Sequence, residues 1–392
     1  MSTHPIEFDL VRLEHTAVTV VLPCLNEATS VGACVEEALA AIEAAGYHGE
    51  VVVVDNNSTD DSAAAAVAAG ATVVREPVQG YGAALRAGFA AARGDIIVMA
   101  DCDGTYPLSR LSELVDPVAL HQADLVIGAR LDGATSASMP FLHRYLGTPT
   151  LTALVRLAGA QTGLTDSQSG FRAFRRGDLD RLALNSTGME LASEMLIRAG
   201  QCDLLIEEVA LGYGQRAGES KLRTWSDGMR HLRLIMRMGP HVALWYPGLA
   251  LLTVSVLLLL ASVFFPDGLA IGEVLWQPVF AASILAVVGV CAATAGGLLG
   301  AFGPDASPQV RQKFAWVRDH RTPRRLNRGA LGAITLGIAV DTALFVRWAE
   351  HQESLGAQLQ IATVAQVAVV VGTIVLMVGV LLGLFNRRAV AR

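Results

Sequence analysis

Charge is what this sequence has least of. Asp, Glu, Lys and Arg make up 17% of its 392 residues and hydrophobic types 52%, a balance that excludes an ordinary soluble chain. The five cysteines, Cys24, Cys34, Cys102, Cys202 and Cys291, form no C-x-x-C pair, which argues against a zinc site and fits a reducing compartment. Cations are not in excess either, and a net charge of -6 gives no sign of nucleic-acid binding. Met1–Thr16 is mixed and polar, so no signal peptide is expected there.

The shortage of charge is uneven. Up to about residue 240 short apolar runs alternate with charged helices; beyond it charges nearly vanish for about 20 residues at a time, enough to cross a hydrocarbon core. Four spans are expected, near 242–265, 278–302, 329–349 and 362–384. The loop 266–277 holds Asp267 and Glu273 without Lys or Arg, and 351–361 also lacks them. The middle loop carries Arg311, Lys313, Arg318, Arg321, Arg324, Arg325 and Arg328, and the tail adds Arg387, Arg388 and Arg392. The positive-inside rule then places that loop, the C-terminus and the N-terminal domain on the cytoplasmic side of a multi-pass cell-membrane protein. Asp341, inside the third span, reads either as a helix-pairing group, with Arg347, or as one that grips or moves a ligand.

The first half is a run of strand and helix units. Residues 17–22 form an apolar strand broken by Pro23, and Asn26-Glu27 and Thr29-Ser30 open a helix that stops at Gly46. Residues 50–54 end at Asp55-Asn56-Asn57-Ser58-Thr59-Asp60, whose side chains can cap the Ala-rich helix that follows. Thr72–Val74 leads through Gly80-Tyr81-Gly82 into another helix; Ile96–Ala100 and Asp124–Arg130 are further strands. Apolar strands alternating with helices imply an α/β domain with a mainly parallel sheet covered on both faces. Ligands bind such sheets outside the carboxyl ends of the strands, where Glu27, Asp55, Asp101, Asp103 and Arg130 fall.

Asp101-Cys102-Asp103-Gly104-Thr105 is the stretch around which the rest is organised. Two carboxylates spaced i, i+2 after a buried strand can put hard oxygens beside a divalent cation and leave its other positions to phosphate oxygens. An Asp-Gly turn that caps the next helix is the plainer alternative.

These stretches, with Val21–Glu27, Ile127-Gly128-Ala129-Arg130 and Ser169-Gly170-Phe171-Arg172, occur in the order seen in family 2 glycosyltransferases. Over about residues 17–240 the chain resembles, more narrowly, the dolichyl- and polyprenyl-phosphate sugar synthases. The resemblance implies a GT-A fold, a nucleotide-diphosphate sugar donor (UDP- or GDP-linked), Mg2+ or Mn2+, and inversion at the anomeric carbon. By position, Pro23, Glu27, Asp55, Gly82, Asp101 and Asp103 would bind the donor, with Asp101 and Asp103 at the metal. Thr105 stands where some members have Gln and would be a weaker, neutral ligand; Tyr81 stands where many have Lys.

The expected acceptor, a polyprenyl or dolichyl monophosphate, is largely dianionic because its second pKa is about 6, so it needs cations to place it and no base to deprotonate it. Arg130, Arg144, Arg216, Ser220 and Lys221 can supply those contacts. With Asp103, the cations Arg130 and Lys221 are the residues expected to carry the transfer. Asp166 and Arg172 either bracket the acceptor pocket or pair structurally, and Glu194, one turn from Glu190, is a candidate site-shaping group.

Between the halves, Trp225, Met229, Leu232 and Met236 recur at helical spacing beside Arg230, Arg233 and Arg237, which suits a helix in the lipid interface. The domains then read as an extension over 1–16, the catalytic domain over 17–222, the interfacial helix over 223–241 and the membrane domain over 242–392. Two other activities share parts of this pattern. A processive polysaccharide synthase would normally carry Gln-x-x-Arg-Trp, which is missing, and a non-catalytic membrane scaffold or transporter would not need the acidic cluster. Donor sugar, lipid length and a homo-oligomer stay open.

Overall fold

The computed structural model describes residues 16–130, 147–160, 163–212, 214, 224–265, 268–271, 274–304, 306–351 and 358–390. The chain divides into two compact units, Met1–Met238 and Gly239–Arg392.

The first unit runs β1 (Ala17–Cys24), α1 (Val31–Ala44), β2 (His48–Asp55), α2 (Ser62–Ala68), β3 (Thr72–Arg75), α3 (Tyr81–Ala91), β4 (Ile96–Met99), α4 (Ser112–Ala119), β5 (Leu125–Ala129), α5 (Thr148–Ala158), β6 (Arg172–Arg175), α6 (Leu179–Leu182), α7 (Leu191–Gln201), β7 (Ile206–Ala210) and α8 (Thr224–Met238). The central strands are apolar on both faces because both are covered: Val18, Val20, Val21 and Leu22 of β1 are fully buried. Each such side chain contributes about 1.5–3 kcal/mol by leaving water. Helix α1 meets the sheet with a stripe of Val31, Cys34, Val35, Ala38 and Ile42, spaced at about one helical turn.

The seven strands lie in the order β3-β2-β1-β4-β6-β5-β7. Every neighbouring pair is parallel except those made by β6, which runs against both β4 and β5. The α/β expectation therefore holds, and the mainly parallel sheet carries one reversed strand that the sequence pattern does not advertise. Strand β6 has Arg at both ends, and Arg172 is fully buried. Its guanidinium survives there because Nε donates to Ser169 O (2.8 Å), Nη1 to Ala192 O (2.7 Å) and Nη2 to Ser167 O (2.9 Å). Burial still pulls its pKa down to about 10.

Helix α8 packs on α5 and α7. It buries His231, Ile235 and Met238, while Met229 and Met236 are exposed beside Arg230, Arg233 and Arg237. One face of this helix thus belongs to the core and the other does not.

In the second unit α9 (Pro240–Phe264), α10 (Pro278–Phe302), α13 (Thr322–His351) and α14 (Gln358–Val390) are long and apolar enough to cross a membrane. The last two extend beyond the spans expected from hydropathy, because a helix need not stop where its side chains become polar. Between α9 and α10 the expected loop contains an antiparallel hairpin, β8 (Leu269–Ile271) and β9 (Val274–Trp276). Helices α9 and α10 approach closely through small residues: a Cβ on Gly248 would lie 2.4 Å from Ala293 N. The basic loop is folded as α11 (Pro308–Lys313) and α12 (Ala315–Arg318). Phe314 between them is buried with Val310, Val317, Ala301 and Leu382, and meets Trp245 edge-on at 5.2 Å, leaving Arg311, Lys313 and Arg318 outward.

Candidate active site

The carboxyl ends of β1, β2 and β4 are in register, with Cys24 opposite Asp55 and Val21 opposite Met99. Glu27, Asp55, Asp101 and Asp103 consequently follow neighbouring strands on one edge of the sheet. The segments that carry the first two are laced together: Asn26 N donates to Ser58 Oγ (3.0 Å), Glu27 N to Ser62 Oγ (2.8 Å) and Ala28 N to Asp60 Oδ2 (3.2 Å). Asp60 thus bridges to the Glu27 turn as well as to Ser62. Asp55 Oδ1 accepts from Ser58 N at 3.1 Å, which orients the carboxylate at its strand end. Pro23 offers its carbonyl to the Cys102 thiol at 3.1 Å, tying the ends of β1 and β4.

Asp103 is 2% exposed, and its Oδ1 accepts from both the amide (3.1 Å) and the hydroxyl (2.6 Å) of Thr105. The Thr105 hydroxyl is thus directed to the carboxylate, which makes Thr105 a support for Asp103 and a poor metal ligand. Thr105 O accepts from Gly214 N at 2.8 Å, which ties Gly214 to this turn. Among the described residues no three His, Cys, Asp or Glu groups gather as a metal cluster. Two hard carboxylates without a third protein ligand fit a Mg2+ or Mn2+ whose coordination is completed by diphosphate oxygens.

Tyr81 Oη donates to Asp101 Oδ1 at 2.9 Å. Burial, then the Asp101 charge, pushes the Tyr81 pKa far up, so the phenol keeps its proton and remains a donor. Gly170 lies against this pair: a Cβ there would stand 2.8 Å from Tyr81 Oη and 3.2 Å from Asp101 Oδ1. Its amide donates to Tyr106 Oη at 2.7 Å.

The same loop reaches the cation. Arg130 donates to Asp166 through Nε (2.7 Å), Nη2 (2.9 Å) and its backbone N (3.2 Å). Burial alone would raise the Asp166 pKa, but the Arg130 charge and hydrogen bonds outweigh it and hold the carboxyl below its ordinary range. Asp166 is therefore Arg130's partner and does not pair with Arg172, whose bonds all go to carbonyls. Residues 166–170 span from the cation to the acid pair.

Gly80 and Gly82 have a packing reason. Cβ atoms on them would lie 2.2 Å from Thr187 O and 2.6 Å from Ser186 O, respectively, and Ala83 N donates to Thr187 O at 3.0 Å. The space beside Gly82 is thus filled by backbone. Glu194 holds that backbone from behind, accepting from Asn185 N (3.1 Å) and Ser186 N (2.8 Å). Arg144, Arg216, Ser220 and Lys221 lie outside the described residues. Tyr106 and Gln168 have no role in the sequence pattern, although the polar run Ser167-Gln168-Ser169 ahead of a buried strand is a usable signal.

Residues 19–182 match the family model described as Glycosyl transferase family 2. The low-salt glycan biosynthesis hexosyltransferase Agl6 of Haloferax volcanii is 36% identical over 371 residues, covering 91% of this chain and 86% of the relative. A dolichyl-phosphate hexose transferase of the same organism is 36% identical over 162 residues, 41% of this chain and 68% of the relative. A crystal structure of glucosyl-3-phosphoglycerate synthase from Mycobacterium tuberculosis aligns with a TM-score of 0.48 at 25% identity, covering 60% of this chain and 85% of the other. An acid pair at the end of β4, a likeness to Agl6 along nearly the whole length and the family match from β1 to β6 together make this chain a glycosyltransferase of family 2.

Proposed function

We propose that the protein transfers a hexosyl group from a nucleotide-diphosphate sugar to polyprenyl or dolichyl monophosphate, with inversion, at the cytoplasmic face of the membrane. The observation that carries this reading is the single loop, 166–170, that holds Arg130 at one end and packs on Asp101 at the other. Donor carboxylates and an acceptor cation then share one rigid edge, in a chain whose second unit has four membrane-length apolar helices. The names of the two Haloferax relatives, a hexosyltransferase of glycan biosynthesis and a dolichyl-phosphate hexose transferase, agree with it.

Asp101 and Asp103 would hold Mg2+ or Mn2+, which when bound neutralises the leaving nucleoside diphosphate. Tyr81 orients Asp101 and Thr105 orients Asp103, so neither carboxylate must reorganise when the donor arrives. Pro23, Glu27 and Asp55 line the nucleotide side. Asp166 fixes the plane of Arg130, which presents the lipid phosphate to the anomeric carbon; Lys221, Arg216, Ser220 and Arg144 are the further acceptor contacts expected from the sequence. The phosphate is already anionic, so no residue removes a proton. The basic loop at α11 and α12 supports the cytoplasmic orientation through the positive-inside rule.

The test is purified protein with Mg2+, a panel of UDP- and GDP-sugars and a short polyprenyl phosphate, with products identified by mass. A single hexose on the lipid phosphate is expected; a long polymer, or no product with any donor, rules the reading out. Asp103→Ala should abolish transfer while membrane insertion stays normal, and full turnover after divalent ions are stripped would overturn the metal assignment.

A further inference from the structure

Ser193 Oγ and His231 Nδ1 lie 2.9 Å apart with both side chains buried, a polar contact between α7 and α8. An apolar side chain would fill the His231 position, between Ile235 and the helix start, without needing a partner; a buried imidazole must have one. The partner belongs to a chain of bonds with a definite end. Gln168 Nε2 donates to Ser193 Oγ (3.1 Å) and to Ser167 Oγ (2.9 Å), and Thr152 Oγ1 of α5 also donates to Ser167 Oγ (2.9 Å). Ser193 Oγ accepts from Gln168 and also meets Nδ1, so the one hydroxyl joins the imidazole to the Gln168 amide. The backbone of Gln168 donates to Asp166 Oδ1 (3.1 Å), and Asp166 grips Arg130. Helices α5, α7 and α8 and the end of β5 thus meet on the loop ahead of β6, and the chain of bonds ends on α8.

Helix α8 is also the element whose other face is left outward, with Met229 40% and Met236 47% exposed beside three arginines. We infer that His231 is a positioning residue for the lipid acceptor: through Ser193 and Gln168 it sets the 166–170 loop, and so the Arg130 guanidinium, in register with the helix that faces the lipid headgroups. The inference rests on the proposed transfer to a lipid phosphate. His231 touches no substrate; it acts through Arg130, and its chain of bonds enters the loop at Gln168 and leaves it at Asp166, without passing through Gly170, the residue that lies against Asp101 on the donor side.

The experiment compares the wild type with His231→Leu, Ser193→Ala and His231→Asn in the full-length enzyme, varying polyprenyl phosphate and nucleotide sugar separately. Loss of one buried hydrogen bond should raise the KM for polyprenyl phosphate about three- to tenfold in the first two. The KM for the nucleotide sugar should not change. His231→Asn, which keeps a hydrogen-bonding atom near the Nδ1 position, should recover most of the loss, and the double variant His231→Leu, Ser193→Ala should be no worse than either single one. Both KM values rising together, or an acceptor KM that stays at the wild-type value, would overturn the inference. If His231→Leu does not fold, Ser193→Ala, a smaller change, decides by the same comparison. A wild-type enzyme that makes no lipid-linked sugar would instead remove the proposed function itself.

Discussion

The Asp166 carboxylate, with a fully buried side chain, closes on the Arg130 guanidinium through two parallel bonds of 2.7 and 2.9 Å. Arg130 is only 12% exposed, so the pair is nearly dry on both sides. Removing one partner leaves the other charge without compensation, which typically costs about 3–5 kcal/mol. Asp166→Asn is expected to lose stability on that scale, read by thermal or denaturant unfolding. Arg130→Lys keeps the charge but loses the fork, and should chiefly raise the KM for the lipid acceptor. An unchanged acceptor KM would count against Arg130 as its cation.

The pair also sets an acid limit. Because the folded Asp166 pKa lies below the ordinary value of about 3.9, its contribution is complete above that pH and is lost as pH falls through the lower folded value. Acid unfolding of the wild type should steepen there, and Asp166→Asn should flatten that part of the curve.

Gly170→Ala offers a sharper probe of the acid pair. The new methyl would meet Tyr81 Oη at 2.8 Å and Asp101 Oδ1 at 3.2 Å, so the Tyr81–Asp101 contact must shift. Displacements of about 1 Å in a catalytic constellation can cost about 100-fold, and kcat/KM should fall on that order. Gly163→Ala, where nothing among the described residues stands within 4 Å of the added atom, is the control and should leave kcat/KM unchanged. Equal behaviour of the two variants would mean that Asp101 has room to move.

Glu194→Ala removes both carboxylate oxygens, and the backbone amides of Asn185 and Ser186 that now donate to them lose their acceptor. A loss of about 1–3 kcal/mol in unfolding free energy is expected. The Gly80–Gly82 turn should loosen with it, seen as faster amide exchange at Ala83, whose N–H is bonded to Thr187 O. Wild-type exchange at Ala83 would separate Glu194 from that turn.

The strand-end acids were legible because apolar runs of four and five residues stop abruptly at Asp55 and Asp101, and a parallel sheet has only one edge where such residues can collect. The membrane helices were legible for the same kind of reason, a long stretch without charge. Arg172 was not: its burial depends on carbonyls of Ser167, Ser169 and Ala192, and Ala192 lies in a different element of the chain. His231 was hidden by periodicity, since Met229, Leu232 and Met236 also mark a helical stripe, whereas the core takes His231, Ile235 and Met238. Which of two overlapping stripes faces inward is settled by α5 and α7, not by the helix itself.

The reversed strand β6 has a consequence for how this edge is furnished. Forward strands can supply it only with the segments that leave them, such as those bearing Asp55, Asp101 and Arg130. A strand running the other way delivers the segment that enters it, and this is how Asp166, Gln168 and Gly170 come to stand among the departing loops. The rim therefore interleaves two directions of chain travel, and its incoming and outgoing segments meet where Gly170 lies against Asp101.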